Sequence, residues 1–246
     1  MRDIEEILLF RSDLSPFLVH LTKSHSGASA KENLFQILDG QSLKSGTGEV
    51  SDVKYGGFTQ SLDDEDRAKY FNAVCFTETP LNEIHCLLEI GYRNVNLEPY
   101  GVVFLKSRLK ERDVSPAIYI NNTNGNKNKL IQALYSLTED HKGAAKQLLP
   151  LVSVFGQKIQ HPGAPNPPNG EVDFIWEREW RYPMVSGDLE FTQEDVFMGI
   201  CPHEEIAEFE TRYPDMKFFD PTKNIKWYAS KLISERQRLN LKYSVV

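Results

Sequence analysis

The chain has 246 residues, 40% of them hydrophobic, and a net charge of −7, a balance that argues against a protein that coats nucleic acid. No run of 18 apolar residues occurs, so no membrane-spanning helix is expected, and the acidic, amphipathic start lacks the basic residues and cleavage site of a secretory signal. Three scattered cysteines, Cys75, Cys86 and Cys201, form no Cys-x-x-Cys pair; they suit a reducing cytoplasm rather than a disulfide framework or a zinc site.

In chain order, residues 2–12 read as a short helix with Ile4, Ile7, Leu8 and Leu9 on one side, broken at Ser15-Pro16. Residues 17–22 form a buried strand in which His20 and Thr22 share a face. A helix over 31–38 follows, with Gly40 as its stop. Residues 43–58 are rich in Gly, Ser and Thr and read as irregular chain or a weak hairpin around Tyr55 and Phe58; 63–70 is a charged surface turn of helix. Strands are expected at 73–78, 100–105 and 116–120, and a helix at 82–90. Lys106, Arg108, Lys110 and Arg112 make a basic turn, and 121–128 is an Asn-rich loop. Residues 130–155 carry Ile131, Leu134, Leu137, Leu148, Leu149 and Val152, a helical pattern that Gly143 and Pro150 divide in two. Residues 156–170 hold four prolines and three glycines and read as a long loop.

The stretch from Trp176 to Tyr182 organises the rest. At period two, Trp176, Arg178, Trp180 and Tyr182 face one way and Glu177, Glu179 and Arg181 the other, with Pro183 as the stop. A line of carboxylates beside an aromatic face costs energy if buried without partners. It fits a cleft that meets a cationic ligand or transition state, but these seven residues alone favour a surface strand whose alternating charges are solvated. A strand over 196–200, a helix over 204–213, a strand over 216–219 and a helix over 227–239 complete the chain. The fold expected is one α+β domain over 1–246, its strands drawn from distant parts of the sequence. Its end, 223–246, is a basic C-terminal helix with six basic residues and one acidic one, a solvated face or a contact for phosphates or an acidic partner.

Phosphate-cradling, dinucleotide and nucleophile-elbow motifs are absent. His85 and Cys86 are neighbours on a helix, where adjacent side chains diverge, and Cys201-Pro202-His203 has the wrong spacing for a metal, so no metal site is expected. Three strand-borne segments remain: His20-Leu21-Thr22, Cys75 through Pro80, and Glu177 through Arg181. A histidine or Phe76 in such strands also reads simply as core, and Glu179 as a partner of Arg178 or Arg181.

The order of these segments resembles the DarT-like branch of ADP-ribosyltransferases: His-x-Thr, an aromatic strand ending in proline, then a late strand with a glutamate. The runs Val-Cys-Phe-Thr-Glu-Thr-Pro-Leu, Tyr-Gly-Val-Val-Phe-Leu-Lys, Pro-Ala-Ile-Tyr-Ile and Glu-Arg-Glu-Trp-Arg are similar to AbiGi, a family of phage abortive-infection proteins, over roughly residues 17–200. The resemblance implies a split, two-sheet fold with peripheral helices that binds NAD, as a substrate, between the sheets. His20 would bond a ribose hydroxyl, Thr22 support it, and Phe76 stack on the nicotinamide. Tyr55 and Tyr70 are the candidates for two further cofactor-binding tyrosines. Glu179, or Glu177 on the same strand face, would be the catalytic carboxylate that stabilises a sugar cation as nicotinamide leaves. It also implies a cytoplasmic toxin or effector that modifies a macromolecular acceptor, nucleic acid or protein, and is neutralised by a cognate antitoxin. Two other readings stand beside it: a non-catalytic binding protein, antitoxin or sensor of such a pair, and a hydrolase of NAD itself.

Overall fold

Apolar runs bounded by polar or Pro-containing breaks set out the elements in a computed structural model, which describes residues 13–25, 27–44, 72–90, 96–121, 123, 129–130, 132–133, 136, 148–155, 175–183 and 186–241. The expected helix at 2–12, the hairpin around Tyr55, the turn at 63–70, the loop at 156–170, and both Tyr55 and Tyr70 lie outside the described residues. In order, the elements are β1 (Phe17–Leu21), α1 (Ala30–Gly40), β2 (Ser42–Leu43), β3 (Ala73–Thr77), α2 (His85–Leu88), β4 (Gly101–Leu105), α3 (Lys106–Lys110), β5 (Ser115–Pro116), β6 (Ile118–Asn121), β7 (Val152–Phe155), β8 (Glu179–Pro183), β9 (Leu189–Glu190), β10 (Val196–Ile200), α4 (Ile206–Arg212), β11 (Phe218–Phe219) and α5 (Ala229–Arg238).

The architecture is mixed α/β. Seven strands form one sheet in the order β11-β10-β4-β1-β3-β8-β5, antiparallel except for the β10–β11 pair, and two small ribbons join β2 to β9 and β6 to β7. The pairing is uneven. All five residues of β1 pair with β4, and all five of β3 pair with β8, but β1 and β3 meet at one pair, Val19 opposite Thr77. A four-stranded group and a three-stranded group thus meet at a narrow seam.

The core is centred on the four-stranded group. Val102, Val103, Phe104, Val196, Phe197, Met198, Phe218 and Phe219 are fully buried, each contributing roughly 1.5–3 kcal/mol if its side chain leaves water completely. Phe17 stacks on Phe197 at 4.3 Å, and Phe104 meets Phe76 and Phe191 edge-on. Close approach requires glycine at two points: a Cβ on Gly101 would sit 2.4 Å from the His20 carbonyl oxygen, and one on Gly199 would enter the Phe218 ring.

The helix expected at 31–38 is α1, which starts with a reciprocal Ser29–Glu32 capping box. Gly40 is its last helical residue, and Gln41, at φ 47°, takes the left-handed position that glycine usually fills. Residues 82–90 hold a 3-10 turn (Leu81–Glu83) and the four-residue α2 rather than one helix. The basic turn at 106–112 contains α3. The helix expected to continue to 155 ends before it: Pro150 lies in a 3-10 turn, and Val152–Phe155 is β7, parallel to β6. Leu148, Leu149 and Val152 fit a helical stripe, but Pro150 removes a helix donor and the β-branched valines fit a pleat. The organising strand is also shorter than expected. It begins at Glu179, after a 3-10 turn (Ile175–Glu177) and a left-handed Arg178 at φ 48°. Trp176 is therefore an exposed turn residue, and Glu177 does not share a strand face with Glu179.

Candidate functional site at the seam between two strand groups

Cross-strand pairing decides which candidate residues meet, because directly opposed residues share a sheet face. Val19, Thr77 and Glu179 lie in one row. One step along each strand lie His20, Phe76 and Trp180, on the other face. The His20 and Phe76 rings meet edge-on at 5.8 Å, so the structure brings these two candidates together. It does not bring Glu179 to them: Glu179 belongs to the opposite face.

His20 closes the seam. Its Nδ1 lies 2.9 Å from the Cys75 carbonyl oxygen, which continued pairing would have offered to the backbone of β1. A carbonyl only accepts, so Nδ1 carries the proton. Burial pushes the imidazole below its ordinary value near 6.5, and the Cys75 carbonyl opposes that shift in part. The ring is thus neutral at pH 7, with Nε2 left as an acceptor. Thr22 has a different task. It is buried, and its hydroxyl lies 2.9 Å from the Ala30 carbonyl and 3.1 Å from that of Tyr100, fastening the exit of β1 to the start of α1. Phe76, 3% exposed, is a core ring whose edge meets Phe104.

Glu179 sits at the start of β8. Its Oε2 accepts from Arg181 Nη2 at 2.7 Å, and its backbone N–H donates to the Tyr119 hydroxyl at 2.8 Å. The Arg181 side chain is buried and spends Nη1 on the Pro150 and Val152 carbonyls. Arg181 therefore ties β8 to the turn leading into β7 and holds Glu179 in a charge-assisted contact. Glu177 contributes its carbonyl, which accepts from the Thr77 hydroxyl at 2.6 Å.

A second carboxylate, within the Cys75–Pro80 segment but not among the expected site residues, lies on the His20 face. Glu78, 6% exposed, follows β3 two residues after Phe76. One oxygen accepts from Lys106 Nζ at 2.8 Å and lies 3.4 Å from Arg178 Nη2; the other accepts from Trp180 Nε1 at 2.9 Å. Lys106 also donates to the Ser15 carbonyl, and Arg178 to that of Asp13. This cluster braces the chain before β1, the start of α3 and the entry to β8 around one buried charge. Of the basic turn, Lys106 is spent here and Arg112 on Asp195 at 2.7 Å.

Two concavities lie elsewhere. A cleft of about 100 Å³ is lined by Leu38, Phe191, Arg212, Tyr213 and Met216 among others, and a shallow depression by Ser24, His25 and Ser29. Neither is lined by His20, Phe76 or Glu179. Among the described residues no group of three or more His, Cys, Asp or Glu side chains is placed to hold a metal ion, and no helix is long and apolar enough to cross a membrane. Comparisons with protein-family models, with characterised proteins and with solved structures return no match to this chain.

Proposed function

We propose that the chain is an NAD-dependent ADP-ribosyltransferase, an effector in phage defence that releases nicotinamide and transfers ADP-ribose to a macromolecule. The observation that carries the reading is His20: an imidazole whose Nδ1 lies 2.9 Å from the Cys75 carbonyl, next to Val19–Thr77, the one pair that joins the two strand groups among the described residues. A sheet that narrows to one pair is the kind of seam a split two-sheet NAD-binding fold needs, and the acceptor Nε2 suits a ribose hydroxyl. Glu179 is the carboxylate the resemblance assigns to the sugar cation. Nucleic acid and protein acceptors are both compatible with a neutralising antitoxin partner in the cytoplasm.

The position of Glu179 favours a second reading, a non-catalytic binding protein such as an antitoxin or sensor. The carboxylate is held by Arg181 on the face opposite His20. Nicotinamide release from NAD, with cell lysate as the source of acceptor, separates the two. Glu179→Gln retains the side-chain shape and removes the charge. The transferase reading expects release from the parent protein, a loss of at least about a hundredfold in the variant, and label retained on macromolecules. Saturable NAD binding without release from either protein supports the binding protein instead. Release as free ADP-ribose alone points to hydrolysis of NAD.

A further inference from the structure

We propose that Cys86 is a thiol-modification site, activated by His85 toward low-molecular-weight disulfides. The short helix α2 carries both residues between two buried anchors, Ile84 at 0% and Leu87 at 3% exposure, and the preceding turn is fixed by Glu83 N–H donating to the Pro80 carbonyl. With the backbone held on both sides, the two outward side chains converge. Cys86 Sγ lies 3.5 Å from His85 Nε2, within thiol–imidazole hydrogen-bonding reach, whereas neighbouring helix positions ordinarily diverge. Cys86 is exposed and His85 half-buried, so the thiol is accessible and its base has restricted freedom.

A nucleophilic thiol needs accessibility and an acceptor for its proton. The three cysteines differ in these respects. Cys201 is buried, and burial pushes its thiol well above the ordinary range. Cys75 is exposed on β3, and its Sγ contacts the Ala73 carbonyl at 3.8 Å, an acceptor that cannot take up a proton. Cys86 combines exposure with an imidazole.

The reaction is thiol–disulfide exchange with a disulfide such as oxidised glutathione. His85 Nε2 takes the Cys86 proton and the thiolate sulfur attacks one sulfur of the disulfide. The disulfide S–S bond breaks as the new one forms, and the departing thiolate takes a proton back from the imidazolium. One disulfide is consumed and one mixed disulfide made, so no other oxidant is required. A rate advantage of roughly tenfold is expected, below the 10²–10⁴ of a well-placed general base.

The test is oxidised glutathione added to the intact chain at about neutral pH, with mass addition followed at each cysteine. Cys86 is expected to react about tenfold faster than Cys75, and His85→Gln to bring Cys86 down to the Cys75 rate without changing Cys75 itself. Cys201 reports unfolding: a variant that labels there has lost its fold, and His85→Asn then replaces it. Equal rates at Cys75 and Cys86 in the parent, or a Cys86 rate unchanged by loss of the imidazole in a variant whose Cys201 stays protected, overturn the proposal.

Discussion

The two strand groups on either side of the seam are held together by different physics. In β11, β10, β4 and β1 the joints are apolar: Phe104, Phe197, Met198, Phe218 and Phe219 are fully buried. In β3, β8 and β5 the fastenings are charged: Glu78 among Lys106, Arg178 and Trp180, and Arg181 among Glu179 and two carbonyls. Apolar packing is non-directional and tolerates small shifts. A buried charge depends on each partner and costs several kcal/mol once one is lost. The three-stranded group is therefore the half whose geometry is sensitive to single polar substitutions, and the candidate carboxylates belong to it.

The largest effect is expected on the apolar side. Phe104→Ala empties a site that touches both groups and should cost about 4 kcal/mol in urea unfolding; a loss below about 1 kcal/mol would mean the rings around it are not packed as described. On the charged side, Glu78→Ala leaves Lys106, Arg178 and the Trp180 N–H without their shared acceptor and should cost about 3 kcal/mol. Glu78→Gln retains one acceptor oxygen and should cost less. Equal stability of Glu78→Ala and the parent would remove the contrast between the halves.

The smallest effect belongs to the seam. His20 has a native value held below its unfolded one, so the unfolded chain takes up the proton first as pH falls. The stability contributed by the neutral ring is complete above the unfolded value near 6.5 and is lost as pH drops through the native value. Between about pH 7.5 and about pH 5 the parent should therefore lose more stability than His20→Gln. Identical slopes would place the imidazole in solvent.

Much of the apolar half was legible because its strands are continuous apolar runs ended by breakers: 17–22, 100–105 and 196–200 appear as β1, β4 and β10. In the charged half β3 was equally legible, at 73–78, whereas the start of β8 and the separate β6–β7 ribbon were harder to read. β7 is four residues long, pairs with a strand some thirty residues earlier, and lies in a run that fits a helical stripe equally well. The start of β8 depends on the left-handed Arg178, a conformation no local residue signals. Period two correctly separates Glu179 and Arg181 from Trp180 and Tyr182 within β8. The faces of different strands become comparable only through register, and the pairs Val19–Thr77 and Thr77–Glu179 place Glu179 opposite the His20 face. The role of Glu78 is hidden in the sequence for a similar reason: its partners lie 28 residues away at Lys106 and about a hundred away at Arg178 and Trp180.

The most direct test of the seam as an NAD site is nitrogen NMR of His20 with and without NAD. A neutral ring protonated at Nδ1 is expected at pH 7, with the Nε2 resonance shifting saturably as NAD is added. An Nε2-protonated ring, or an Nε2 signal that ignores saturating NAD while the chain stays folded, would contradict it.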